Sequence, residues 1–327
     1  MNNIKPVTVA QYGIGPIGAE IARLLLTKSW VRIIAAVDID PAKQGKDLGE
    51  IIGHDSKIGV PITNKLTVRP DVVCHSTGSR LRDVEEQLRD LLSGGSHVVS
   101  TCEELSFPLD AKIRDSLQQV ARGANVTLLG TGVNPGFVMD KLPLTLTAVC
   151  QSVTEVQVMR KVNASLRREP LQRKVGAGMS RKEFDNAVKG GNIKHMGLRE
   201  SLMMIADGLN VSLDTISDEK ILPVLAEKEV VTQYLQVAEG EVAGVHQTIS
   251  GEQKGVIKLG LDIKMYVGAD NPSDRIVIKG VPDVTMEIAG GVHGDRATAA
   301  MVVNAIPRVI AARPGVLTMD DIPVSYR

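Results

Sequence analysis

Gly13, Gly15 and Gly18 stand in the spacing GxGxxG, after an apolar run (VTVAQYG) and at the opening of a helical pattern (GAEIARLLLTKS). In that context the first glycine allows a tight turn and the second lets backbone approach a pyrophosphate. The third lets the helix pack close on the strand. Pro16 and Ile17 open the helix, whose leading amides and dipole favour an anion. Asp38 ends the next apolar run, twenty positions past Gly18. A carboxylate there can accept hydrogen bonds from both hydroxyls of an adenosine ribose. Together these residues predict a nicotinamide dinucleotide, NAD in preference to NADP. Lys43 and Lys46 follow closely, and either can reach a 2′-phosphate, so NADP stays open.

Two further polar clusters end apolar runs. His75-Ser76-Thr77-Gly78-Ser79 follows DVVC, and Ser100-Thr101-Cys102-Glu103-Glu104 follows SHVV. Ligands of an open parallel sheet bind at the carboxyl ends of its strands. Ser76, Thr77, Gly78, Thr101 and Cys102 are therefore expected to meet the cofactor near its nicotinamide ribose. His75 reads either as a strand-end histidine bonded to backbone or as a catalytic group.

These positions require a particular scaffold. Up to about residue 140, short apolar runs without polar alternation are separated by helical patterns, around Asp83 to Leu92 and Ala111 to Ala121 among others. That is the pattern of a Rossmann-type, doubly wound parallel sheet covered on both faces, an α/β fold. Beyond it, TEVQVMRKVNAS, GEVAGVHQTISG, GVIKLGLDIKMYVG, DRIVIKG and VTMEIAGG are longer and alternate with polar residues, which predicts a mainly antiparallel sheet. Two helices interrupt it. One opens on a capping box of Ser180 and Glu183, and one covers roughly Leu198 to Leu209. The expected organisation is a dinucleotide-binding domain over 1–140 and an α+β domain for substrate binding and dimerisation over 141–295. The last helix, about 296–327, packs back on the first domain.

Composition narrows the function classes. Of 327 residues 43% are apolar, and 38 basic residues balance 38 acidic ones, which disfavours nucleic acid or an anionic membrane as partner. No apolar run approaches the ~20 residues of a membrane span. The start, MNNIKPVTVAQYGIG, shows no signal-peptide pattern, so a cytoplasmic protein is expected. Cys74, Cys102 and Cys150 are widely spaced and read as reduced thiols. His54, His97, His246 and His293 form no metal-binding spacing, so no metal is expected.

Thr101-Cys102-Glu103-Glu104-Leu105-Ser106, with Gly130-Thr131-Gly132-Val133-Asn134-Pro135-Gly136-Phe137-Val138-Met139-Asp140, resembles the 2,4-diaminopentanoate dehydrogenase family. That family includes the native amine dehydrogenases and is related in structure to dihydrodipicolinate reductase. The resemblance extends to His195-Met196-Gly197 with Glu200-Ser201-Leu202, and to Met301–Pro307, so it spans nearly the whole chain. It implies reversible, NAD(P)H-dependent reductive amination of a ketone or aldehyde with ammonia. The stretch Met265 to Ser273 lacks the histidine that relatives carry there, which leaves the substrate undefined.

Such a reaction needs a group that orients ammonia, removes a proton and steadies an iminium charge, and a carboxylate near the nicotinamide does all three. The resemblance implies a catalytic glutamate in the Glu103-Glu104 motif. In extended backbone successive residues point opposite ways, so only one faces substrate; Glu104 is the first choice and Glu103 the alternative. Burial in an apolar cleft would raise its pKa toward neutrality. Asn134 and Phe137 are expected to wall the substrate site, with Lys161 and Asn163 on one strand face as its floor. His195 is placed there by the resemblance. Asn304, one turn before Pro307, is expected at the nicotinamide carboxamide. A homodimer is expected, formed through an apolar outer face of the second sheet. The alternatives are a dihydrodipicolinate reductase-like C=N or carbonyl reductase, and a non-catalytic NAD-binding sensor.

Overall fold

In the computed structural model, which describes residues 6–327, the early apolar runs form β1 (Val7–Tyr12), β2 (Val31–Val37), β3 (Ile62–Thr63), β4 (Val72–His75), β5 (His97–Ser100) and β6 (Thr127–Gly130). They lie in the order β3-β2-β1-β4-β5-β6, every pair parallel. This is the Rossmann order, whose reversal between β1 and β4 opens a crevice at the strands' carboxyl ends. A late strand, Gly315–Leu317, adds in parallel beyond β6.

The strands lack polar alternation because both faces are covered. All four residues of β4 are buried, and His75 is among them. The covering helices are α1 (Pro16–Leu26), α2 (Leu48–Ile52), α3 (Leu81–Ser93) and α4 (Ala111–Gly123). On α3, Leu81, Val84, Leu88, Leu91 and Leu92 recur at helical spacing and share one core with Leu117 and Ala121 of α4. Each fully buried leucine contributes roughly 2 kcal/mol of transfer free energy. The chain divides into two compact units: residues up to Phe137 together with His293–Arg327, and Val138–Val292. In the first unit the C-terminal helix, Gly294–Ala311, packs on α1.

The second unit holds α5 (Lys141–Thr147), α6 (Glu169–Lys174), α7 (Arg181–Lys189) and α8 (Leu198–Gly208); the C-terminal helix is then α9. Its strands are β7 (Ser152–Asn163), β8 (Thr215–Ile216), β9 (Lys220–Leu225), β10 (Val230–Val231), β11 (Gln236–Val237), β12 (Val242–Gln253), β13 (Ile257–Tyr266), β14 (Ser273–Val281) and β15 (Val284–Ala289), which makes Gly315–Leu317 β16. The large sheet runs β15-β14-β7-β13-β12-β8, with β9 also on β12 and β10 pairing β11 apart from it. Only β7 and β13 run parallel among its pairs. The α+β reading with a mainly antiparallel sheet therefore holds.

Local chemistry starts these helices. Ser180 and Glu183 close a capping box on α7. Buried Asp140 caps α5 through the Lys141 amide and accepts 2.8 Å from the Ser201 hydroxyl of α8. Helices α5 and α8 pack on one face of the large sheet. On that face Arg160 and Asp274 form an ion pair at 3.0 Å, both side chains nearly inaccessible. Asp274 also accepts from the Val292 amide at 2.7 Å, and Arg160 donates to the Val292 carbonyl at 2.7 Å. Burial pushes the Asp274 carboxyl up despite the Arg160 charge. The opposite face carries Arg275, Lys279, Lys258, Lys264 and Glu252 as exposed residues, so it is charged and not apolar as expected.

Candidate active site

The glycine-rich turn is built by contacts that only glycine permits. Gly13 adopts φ +86°, and a Cβ there would lie 2.6 Å from the Ser76 carbonyl; at Gly18 it would lie 2.0 Å from the Gly13 carbonyl. Gln11, the one buried polar residue of β1, braces the turn by donating to the Gly13 carbonyl at 2.9 Å and the Ser76 hydroxyl at 3.0 Å. Ser76 in turn donates to the Gly13 carbonyl at 3.0 Å. At Gly15 an added Cβ meets nothing within 4 Å, so the backbone there is open to a close ligand. Helix α1 starts at Pro16 with no side-chain cap and no acidic residue in its first turn. Its leading amides, beginning with Ile17 and Gly18, are therefore left for an anion. The turn fits a pyrophosphate.

Asp38 stands at the end of β2. Its Oδ2 accepts from the Ile14 amide at 2.8 Å and from the Lys43 ammonium at 2.9 Å, and its Oδ1 accepts from the Asp40 amide at 2.9 Å. Burial opposes ionisation, but the Asp40 amide, the Lys43 ammonium and the Ile14 amide outweigh it and hold this carboxyl below the usual aspartate range.

At the ends of β4 and β5, His75 is the centre of a buried network. Its Nε2 lies 3.0 Å from Gln87 Oε1 and from Thr77 Oγ1, and its Nδ1 lies 2.9 Å from Ser100 Oγ. Gln87 Oε1 can only accept, so Nε2 carries the proton and Nδ1 accepts from the Ser100 hydroxyl. Ser100 also accepts from the Cys102 amide at 3.1 Å. Burial drives the imidazole pKa down to about 4, so the ring is neutral. The Tyr12 ring stacks on it at 5.6 Å. The network ties Thr77 to the turn that follows β5.

That turn is a single 3-10 helix, Glu103–Leu105. Glu104 turns back toward α3: its Oε2 accepts from the Leu81 amide at 2.7 Å, and its amide donates to the Ser79 carbonyl at 3.2 Å. Cys102 is buried in the core, its thiol donating to the Ser79 carbonyl at 3.3 Å; burial pushes the Cys102 and Cys74 thiols up to about 12. Thr101 is half-buried, with its amide on the His75 carbonyl at 2.9 Å. Asn134 and Phe137 are half-buried in the segment after β6. Asn304, expected at the carboxamide, accepts from the Arg327 amide at 3.1 Å and is half-buried.

In the second unit the register separates residues that were expected together. Gln247, Ile263, Arg160 and Asp274 form one row across the sheet on the helix-covered face, and Gln247 bonds both the amide and the carbonyl of His195. Lys161 pairs with Lys264, which pairs with His246, in the next row and on the opposite face. Asn163 shares that face and accepts from the Ser165 amide at 2.8 Å. Lys161 and Asn163 therefore do not line one surface with His195. Gln11 and Gln87 escaped the sequence reading; a lone glutamine in an apolar strand was the available signal for the first. Among the described residues no group of three or more His, Cys, Asp or Glu is placed to hold a metal ion, and no helix is long and apolar enough to cross a membrane.

Comparison with known proteins agrees with this architecture. Residues 137–326 match the model of the 2,4-diaminopentanoate dehydrogenase C-terminal domain. The chain is 30% identical to 2,4-diaminopentanoate dehydrogenase of Acetoanaerobium sticklandii, over 98% of this chain and 94% of the relative. It is 24% identical to an amine dehydrogenase of Streptomyces virginiae, over 97% and 96%. The solved amine dehydrogenase of Mycobacterium smegmatis superposes with a TM-score of 0.87 at 25% identity, covering 98% of this chain and 97% of that one. A dihydrodipicolinate reductase from Paenisporosarcina shares the fold, with a TM-score of 0.56 at 14% identity over 97% of this chain and 100% of that one. The Rossmann unit, the α+β unit and these similarities converge: the chain is an oxidoreductase that belongs to the 2,4-diaminopentanoate dehydrogenase family.

Proposed function

We propose that this protein is an amine dehydrogenase acting on CH–NH2 groups, catalysing the reversible reductive amination of a ketone or aldehyde with ammonia and NADH or NADPH. One observation carries the reading. The Glu103-Glu104 turn lies at the carboxyl end of β5, two strands from the Gly13–Gly18 turn, in a chain related throughout its length to dehydrogenases of amines.

The backbone of Gly13, Gly15, Pro16, Ile17 and Gly18 would hold the pyrophosphate and Asp38 the adenosine ribose. Ser76, Thr77, Gly78 and Thr101 would meet the other ribose, Cys102 contributing backbone alone. When bound, the nicotinamide supplies the hydride in amination and accepts it in deamination. Glu104, which accepts from the Leu81 amide through one carboxylate oxygen, is the first choice for the base and Glu103 the alternative. The carboxylate of the base takes a proton from the incoming ammonium, so that the nitrogen lone pair can bond to the carbonyl carbon. It returns that proton to the departing hydroxyl, which leaves as water, and its charge steadies the resulting iminium. On the family resemblance, Asn134, Phe137 and His195 contact the substrate. Lys161 and Asn163 are assigned no role.

Incubation with a short ketone, NADH and 15N-labelled ammonium, followed by mass spectrometry, tests the chemistry. The labelled amine is expected; the alcohol instead would make the protein a carbonyl reductase. A homodimer is part of this proposal, and light scattering that gives the mass of one chain at working concentration would refute it.

A further inference from the structure

The turn after β2 returns a cation onto the residue that would bind the ribose. Asp40 donates its amide to Asp38, and the Lys43 amide donates to the Asp40 carbonyl at 3.0 Å. This brings the Lys43 ammonium to 2.9 Å from Asp38 and 3.6 Å from Asp40, with side-chain exposures of 24% for Lys43 and 10% for Asp38. Lys46 is exposed, and its backbone carbonyl is paired with the Ile62 amide.

Two consequences follow for a ribose at this carboxylate. Accepting both hydroxyls of the diol calls on both carboxylate oxygens, but Oδ2 already holds the Ile14 amide and Lys43. A carboxylate has about four acceptor positions, so the one left open lies on Oδ1, beside the Asp40 amide. The negative charge that would repel a 2′-phosphate is also offset by an ammonium that keeps N–H donors beyond the one aimed at Asp38.

We propose that Lys43 is a specificity-determining residue that admits the 2′-phosphate of NADP, so that this chain binds both dinucleotides. The proposal rests on the nicotinamide reading above and goes beyond it by naming the residue that sets cofactor choice. Lys43 lies at the adenosine end, remote in sequence from Glu103, so it acts on binding and not on the chemical step.

Calorimetric titration of the full chain with NADH and with NADPH tests it, on the wild type and on Lys43→Met, Lys43→Arg and Lys46→Met. The wild type is expected to bind both with dissociation constants within about tenfold of each other. Lys43→Met should weaken NADPH by about tenfold or more, the scale of one near-surface charge pair, and change NADH by less than about threefold. Lys43→Arg should keep both, as should Lys46→Met. Retained NADH binding shows that each variant is folded. Binding of NADH alone by the wild type would overturn the proposal and leave the nicotinamide reading standing. Equal loss of both in Lys43→Met, or loss of NADPH in Lys46→Met, would also overturn it. Binding of neither by the wild type would remove the nicotinamide reading itself and the proposal with it.

Discussion

Glu104 Oε2 accepts a 2.7 Å hydrogen bond from the amide of Leu81, the first residue of α3. Arg80 provides no side-chain cap at that helix start, so Glu104 does so from the neighbouring turn, where its charge also complements the helix dipole. Glu104→Ala should therefore lose about 1 kcal/mol of stability in denaturant unfolding. Glu104→Gln keeps a side-chain oxygen for the Leu81 amide, so it should retain most of the stability and dinucleotide binding while turnover falls by about 10²-fold or more. Turnover that survives in Glu104→Gln and disappears in Glu103→Gln would move the base to Glu103.

The glycine turn separates a cofactor site from a mere strand–helix corner. Gly18→Ala puts a methyl 2.0 Å from the Gly13 carbonyl and should not fold stably. Gly15→Ala meets nothing of the protein within 4 Å, so its melting temperature should stay within a few degrees of wild type. Its NADH affinity should nonetheless fall by about tenfold or more, because the methyl enters the path of the pyrophosphate. Unchanged affinity would count against binding at this turn.

His75 predicts an acid-side loss of stability. Its pKa falls from the ordinary 6.5 to about 4 in the fold. Between those values the unfolded chain binds the extra proton, so stability rises with pH across the window. The contribution is fully present above about 6.5 and is lost as pH falls toward about 4, on the order of 3 kcal/mol in all. Denaturant midpoints at pH 7 and pH 5 should differ more in the wild type than in His75→Asn; equal differences would contradict a buried neutral imidazole.

The Arg160–Asp274 pair should show the asymmetry of buried charges. Removing one partner, as in Arg160→Met or Asp274→Leu, is expected to cost about 3–5 kcal/mol, and the double variant should recover most of it. Additive losses in the double variant would mean that the two act independently.

The Rossmann sheet was legible in the sequence because strands covered on both faces read as unbroken apolar runs. The second sheet showed itself through alternation. Four features were not legible, each for a physical reason. The choice between Glu103 and Glu104 rested on extended-strand geometry, but the pair sits in a 3-10 turn, where successive side chains step by about a third of a turn instead of half. The shared face of Lys161 and Asn163 follows from period two, but which face α5 and α8 cover is decided by tertiary packing. The bond from the Arg327 amide to Asn304 joins residues 23 apart, and β8 to β11 are mostly two-residue elements with no local signature.

The measurement that bears most directly on the central claim is NADH and NADPH oxidation with a panel of short ketones and aldehydes, each with and without excess ammonium at alkaline pH. Oxidation that requires ammonium, and is lost in Glu104→Gln, is the expected result. Oxidation that proceeds equally without ammonium would contradict an amine dehydrogenase and make the protein a carbonyl reductase on the same fold.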